Sequence, residues 1–243
     1  MTRRVALIAP ADAYVGPHLA RVLAARGYDL VLGAAEEGLE AELRVLGAAV
    51  EVISGIGAHD PDLGPAMARA GVDRFGTFHS VFFSSGHIAG GRFLKTSLED
   101  LRGAFGGNVE APYLFVQAVL PTMLAQGDGQ VLVATSAAAS RAVVSASLYA
   151  GTRAAATLML QSAALEIADS GVQMNVVGTN FMDFPAFLAG NRAESPEGRA
   201  RVEAMVPMKR LGRLDEFANF CAVLLDGSSR FQTAQFFTYA GGW

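Results

Sequence analysis

Apolar residues run along this chain in two alternating rhythms. Short continuous runs occur at RVALIAP (4–10), DLVLG (29–33), AVEVIS (49–54), HSVFFSSG (79–86), GQVLVATS (129–136), VQMNVVGTN (172–180) and TAQFFTYAGG (233–242). They lack the strict apolar–polar alternation of a half-wet strand. They therefore read as strands covered on both faces. Between them lie longer stretches with helical spacing, at 15–27, 36–47, 59–76, 97–127, 147–171 and 214–229. Gly27 stops the first helix, and Pro112 predicts a bend in the long fourth one. Residues 181–213 show no sustained period and read as irregular. Strands separated by helices predict an α/β chain of one domain, 1–243. It is a Rossmann-like, doubly wound parallel sheet with helices on both faces.

Composition narrows the partners. With 51% hydrophobic and 17% charged residues in 243, the chain suits a globular core. A net charge of −4 without a basic run argues against nucleic acid. The longest uncharged run, 111–127, carries Pro112, Gln117, Pro121 and Gln126 and reads as a buried helix, not a membrane span. The start, MTRRVALIAPAD, turns too early for a secretory signal. The single cysteine, Cys221, forms no internal disulfide and fits a reducing cytoplasm. His18, His59, His79 and His87 have no ligand spacing, so no metal is expected.

In a doubly wound sheet, ligands bind beyond the carboxyl ends of the strands. Four segments fall there: APADAYVG (9–16), FSSGHIAGG (83–91), TSAAASRA (135–142) and GTNFMDFP (178–185). Ser136 closes one strand. Tyr149 and Arg153 follow at i, i+4 on the next helix, and Asn108 lies on the preceding long helix. With these residues the chain resembles the short-chain dehydrogenase/reductase family over nearly its whole length. The resemblance implies that Ser136 and Tyr149 hold the substrate oxygen and that Asn108 helps to shape the site.

The family's dinucleotide turn reads Thr-Gly-x-x-x-Gly-x-Gly. Here it reads Ala9-Pro10-Ala11-Asp12-Ala13-Tyr14-Val15-Gly16, and only the last glycine remains. Pro10 has no N–H and cannot take a positive φ. The second strand ends in Gly33-Ala34-Ala35 with no carboxylate in line for a ribose. Phe83-Ser84-Ser85-Gly86 stands where the family has Asn-Asn-Ala-Gly. Arg153 replaces the family lysine and keeps a permanent charge. A unit charge about 5 Å from the phenol, at an effective dielectric of about 20, favours its anion by roughly 3 kcal/mol.

A Ser–Tyr–Arg set beside an aromatic-filled turn resembles the halohydrin dehalogenases, a cofactor-independent branch of the same superfamily. That resemblance implies a carbon–halogen lyase with no cofactor. It would turn vicinal haloalcohols into epoxides plus halide, and open epoxides with azide, cyanide, nitrite or halide in reverse. Ser136, Tyr149 and Arg153 would be catalytic. Asn180, Phe181 and Met182 would hold the halide, with Tyr14, Phe83 and Phe184 as walls. Ordinary turn packing is the competing account of Tyr14, a loop cap that of Asn180, and core packing that of the phenylalanines. The alternative functions are an NAD(P)-dependent short-chain oxidoreductase with a degenerate cofactor site and a non-catalytic ligand-binding relative. The small-residue face Ala154-Ala155-Ala156 suggests a homodimer or homotetramer by analogy with the fold.

Overall fold

The computed structural model describes residues 3–243. Seven parallel strands form one sheet in the order β3-β2-β1-β4-β5-β6-β7. They are β1 (Val5–Ala9), β2 (Asp29–Gly33), β3 (Val50–Ile53), β4 (Ser80–Ser84), β5 (Gly129–Ser136), β6 (Val172–Thr179) and β7 (Phe236–Tyr239). All seven lie within the runs expected from sequence.

The sheet is covered on both faces, which explains the uninterrupted apolar runs. In β1, Ala6 and Ile8 face a core layer that includes Leu19 and Leu23 of α1 (Gly16–Ala25) and Phe217 of α9 (Leu214–Leu225). Val5, Leu7 and Ala9 face the other layer, with Met67 of α3 (Leu63–Phe75), Phe115 of α5 (Ala111–Gln126) and Leu160 of α6 (Ser147–Glu166). Leu7 and Ile8 are both fully buried, one on each face. Truncating either to alanine would cost about 2–5 kcal/mol. A short helix α2 (Leu39–Val45) links β2 to β3.

Two regions differ from the sequence expectation. The helix at 97–127 is interrupted just before Pro112. It runs as α4 (Leu98–Phe105), passes through a π turn (Gly106–Glu110) and continues as α5. Pro112 is the second residue of α5, directly after the π turn, and Pro121 lies inside α5 without ending it. Consecutive glycines at 106–107 relax the backbone at the interruption, and such π turns recur at functional sites. The stretch 181–213 is not irregular throughout. It folds into α7 (Pro185–Gly190) and α8 (Pro196–Met205), the latter capped by the Ser195 hydroxyl accepting from the Gly198 N–H at 3.1 Å. These helices form a cap beside the carboxyl end of β6.

Candidate active site

Register brings the site together. Ser136, the last residue of β5, pairs with Thr179, the last residue of β6. Two of the four candidate segments therefore leave the sheet side by side. Ser136 is buried, and its Oγ accepts the Ala138 N–H at 3.2 Å. Among the described residues its own proton has no acceptor, so the hydroxyl remains free to donate to a bound oxygen.

Tyr149 and Arg153 lie one turn apart on α6. The guanidinium carbon is 5.3 Å from the centre of the Tyr149 ring. Arg153 is only 5% exposed. Its Nη2 donates to the Ser85 carbonyl at 2.6 Å, while Nε and Nη1 are buried without a partner. The guanidinium reaches that carbonyl because residue 86 is glycine. A Cβ on Gly86 would lie 2.2 Å from Nη2. A buried cation with two unmet donors and no carboxylate partner is costly to hold. Its place behind Tyr149 gives that phenol a fixed positive charge in a poorly hydrated setting.

Asn108 does not point at a ligand. It is fully buried in the π turn and ties three segments together. Its Oδ1 accepts the His87 N–H at 2.8 Å, and its Nδ2 donates to the His87 carbonyl and to Thr152 Oγ1, both at 2.9 Å. Thr152 Oγ1 in turn donates to the Leu148 carbonyl at 2.8 Å. The loop after β4 is thus fixed to the first turns of α6, where Tyr149 sits.

Tyr14 closes the other side. Its φ is +53°, a left-handed value that family members meet with glycine here. The ring packs at 4.8 Å from Phe184 and 5.9 Å from Phe217, and the hydroxyl donates to Thr179 Oγ1 at 2.8 Å. Burial pushes the Tyr14 phenol far above its usual range, with the Thr179 contact opposing, so it stays neutral.

The other expected wall and anion residues are arranged differently. Asn180 caps its own loop, with Oδ1 accepting the Phe181 N–H at 2.9 Å. That N–H is not free for an anion. The Phe181 ring turns into a satellite core with Val202, Val206 and Leu211, and Met182 is buried in the main core. Phe83 stacks on Phe115 at 4.2 Å in the core beneath the site. Phe184 alone of the expected phenylalanine walls meets Tyr14. Sequence reasoning passed over Thr179, Thr152 and Ser85 as partners, because each is set by register or by a loop path that no local motif encodes.

No group of three or more potential metal ligands occurs among the described residues. No helix there is long and apolar enough to cross a membrane.

Residues 11–243 match the family model described as enoyl-(acyl carrier protein) reductase, and the chain belongs to this family of the short-chain dehydrogenase/reductase superfamily. Among curated proteins it is 27% identical over 244 residues to 2,5-dichloro-2,5-cyclohexadiene-1,4-diol dehydrogenase LinX of Sphingobium indicum, covering 99% of this chain and 96% of that one. It is likewise 27% identical to cyclohexanol dehydrogenase of an Acinetobacter species, covering 99% and 94%. Levodione reductase superposes with a TM-score of 0.88 at 24% identity, covering 100% of this chain and 98% of that one. Actinorhodin polyketide ketoreductase, solved with NADPH, superposes with a TM-score of 0.89 at 23% identity, covering 99% and 97%.

These relatives are named as dehydrogenases and reductases. They overturn the expectation of a cofactor-independent carbon–halogen lyase of the halohydrin dehalogenase type. The misleading signal was the altered first turn, whose residues say how a nucleotide would be gripped and not which bond reacts.

The turn itself does not fit a dinucleotide in the family manner. Pro10 offers no N–H to a phosphate. The Tyr14 ring stands in place of a glycine, and exposed Asp12 sets a carboxylate beside it. Ala34, also at a positive φ, leaves the end of β2 without an acid for a ribose. Gly16 keeps its family role, since a Cβ there would lie 2.0 Å from the Pro10 carbonyl oxygen. The unmet donors of Arg153 are suited to ribose hydroxyls.

Proposed function

We propose that the protein is a short-chain oxidoreductase with a degenerate cofactor site, acting on the oxygen of a compact, largely apolar alcohol or ketone. The observation that carries this reading is the oxygen-handling pair. Ser136 ends β5 with an uncommitted proton, and Tyr149 stands on α6 with a buried Arg153 behind it. Ser136 donates to the substrate oxygen. Tyr149 takes the hydroxyl proton when an alcohol is oxidised and returns it when a ketone is reduced, while a bound nicotinamide would accept or supply the hydride at carbon. The charge of Arg153, 5.3 Å from the ring centre, favours the negative charge that develops on the phenol oxygen during transfer. Two relatives named for cyclic alcohols support a ring-shaped substrate.

Exposed Leu158 and Leu165 on α6, with Leu114 and Leu124 on α5, support a homodimer or homotetramer as the working form. The functional test is a spectrophotometric assay with NAD⁺ or NADP⁺ and cyclohexanol-type alcohols, and with NADH or NADPH and the matching ketones. Tyr149→Phe serves as the control. Turnover that needs Tyr149 supports the reading. Its absence with both cofactors in both directions sinks it.

A further inference from the structure

Trp243 is the sole tryptophan in the chain. Its ring lies half-buried against the satellite cluster of the cap, edge-on to Phe181 with centroids 5.4 Å apart. On its other side the guanidinium carbon of Arg141 stands 4.5 Å from the ring centre. Arg141 is exposed and makes no ion pair or side-chain hydrogen bond among the described residues. The Trp243 ring is the contact that holds it.

The two partners of Trp243 belong to different walls. Arg141 follows the 3₁₀ turn Ala137–Ser140, which leaves β5 directly after Ser136. Phe181 follows Thr179 at the end of β6, and its ring also meets Phe187 of α7 at 5.9 Å. Because Ser136 and Thr179 are register partners, the two loops leave the sheet side by side at the substrate end. The cap is further fixed from below, where Asp183 pairs with Arg199 of α8. Among the described residues, no side-chain hydrogen bond or ion pair ties the loop bearing Arg141 to the cap.

We infer that Arg141 and Trp243 form a latch joining the loop after β5 to the cap, and that this latch sets the width of the substrate entrance. Both act as positioning residues, since neither touches the reacting atoms. Indole is the best aromatic partner for a guanidinium, yet at a partly wet site the pair is worth only about 0.5–1 kcal/mol, weak enough to open when a ligand enters. The consequence for substrate choice rests on the oxidoreductase reading above. The existence of the latch does not.

The test uses the full chain and its own fluorophore. Acrylamide quenching of Trp243 emission is measured for wild type, Arg141→Ala and Arg141→Lys. The quenching constant should rise about two- to threefold in Arg141→Ala and less in Arg141→Lys, which keeps the charge but loses the flat stacking surface. For the most rapidly turned-over cyclic alcohol, KM should rise about three- to tenfold in Arg141→Ala and in Trp243→Ala, with kcat within about twofold. Trp243→Phe should recover most of the loss. An unchanged quenching constant in folded Arg141→Ala overturns the latch, whether or not the protein turns over alcohols. A raised constant with an unchanged KM overturns its role at the entrance. Because Arg141 is exposed, its variants fold even if Trp243→Ala does not.

Discussion

Tyr14 donates its phenolic hydrogen to Thr179 Oγ1, joining the first turn of the chain to the far end of β6 at 2.8 Å. The contact, with the ring against Phe184 and Phe217, fills the turn at a position where the family pattern has glycine. The neighbouring Pro10 removes a backbone donor from the same turn.

Dinucleotide affinity should therefore be weak and recoverable. Wild type should bind NADH and NADPH more weakly than the micromolar range. Tyr14→Gly alone should improve binding only modestly, because Pro10 remains. Pro10→Gly with Tyr14→Gly should tighten it by about tenfold or more, the equivalent of regaining one or two hydrogen bonds. Calorimetric titration of the three proteins checks this. Micromolar binding by wild type would show that the closed turn opens at little cost.

Arg153 should matter more for rate than for stability. Replacing it by methionine removes a buried charge with two unmet donors, so thermal stability should hold or rise. Loss of the fixed charge beside the Tyr149 ring should lower turnover by about tenfold or more. A melting curve and a rate measured on one preparation separate the two effects. A destabilised variant with normal turnover would make Arg153 structural.

Asn108 should behave in the opposite way. Asn108→Ala leaves the His87 N–H and carbonyl and the Thr152 hydroxyl without their partner. The expected cost is about 2–4 kcal/mol in urea denaturation. Asn108→Asp keeps one acceptor but loses both donors, and should lie nearer to alanine than to wild type. A loss below about 0.5 kcal/mol for alanine would show that water replaces the clamp.

Acid sensitivity should trace in part to His79. Its Nδ1 accepts the Val5 N–H at 3.1 Å, which requires an uncharged ring. Burial first, and the Arg4 charge second, lower its folded pKa below 6.5. The unfolded chain then binds the extra proton first. The stability contributed is present above pH 6.5 and is lost as pH falls from there through the folded value. Asp128, held low by Arg230 and Arg4 against an opposing burial effect, adds the same trend only below pH 3.8. The melting temperature should therefore drop between pH 7 and 5, and His79→Gln should flatten that drop. Parallel curves for the two proteins would exclude His79.

The sheet was legible from apolar runs because both faces of every central strand are buried, as Leu7 and Ile8 show. The cap was not legible because α7 and α8 bury few residues: none in α7, and only Gly198 and Val202 in α8. Their apolar spacing carries no period. Ser136, Tyr149 and Arg153 were readable because strand end and helix spacing place them. The fate of Asn180 was not, because its side chain turns back on the next residue and abolishes the expected donor pair. Tyr14 was recognised as the residue that fills the turn. Its hydroxyl partner depends on register across the two intervening strands, β4 and β5, which no local stretch of sequence records.

The central claim is that Ser136 and Tyr149 handle an alcohol or ketone oxygen in a redox reaction. The most direct measurement is formation of reduced nicotinamide at saturating NAD⁺ or NADP⁺ with a panel of cyclic alcohols, comparing wild type, Ser136→Ala and Tyr149→Phe. The account predicts measurable turnover by wild type, with a KM for the nucleotide above the micromolar range. It predicts a loss of about 10²- to 10⁴-fold in Tyr149→Phe and a smaller loss in Ser136→Ala. No reduced nicotinamide from wild type with either nucleotide, or equal rates in Tyr149→Phe, would contradict it.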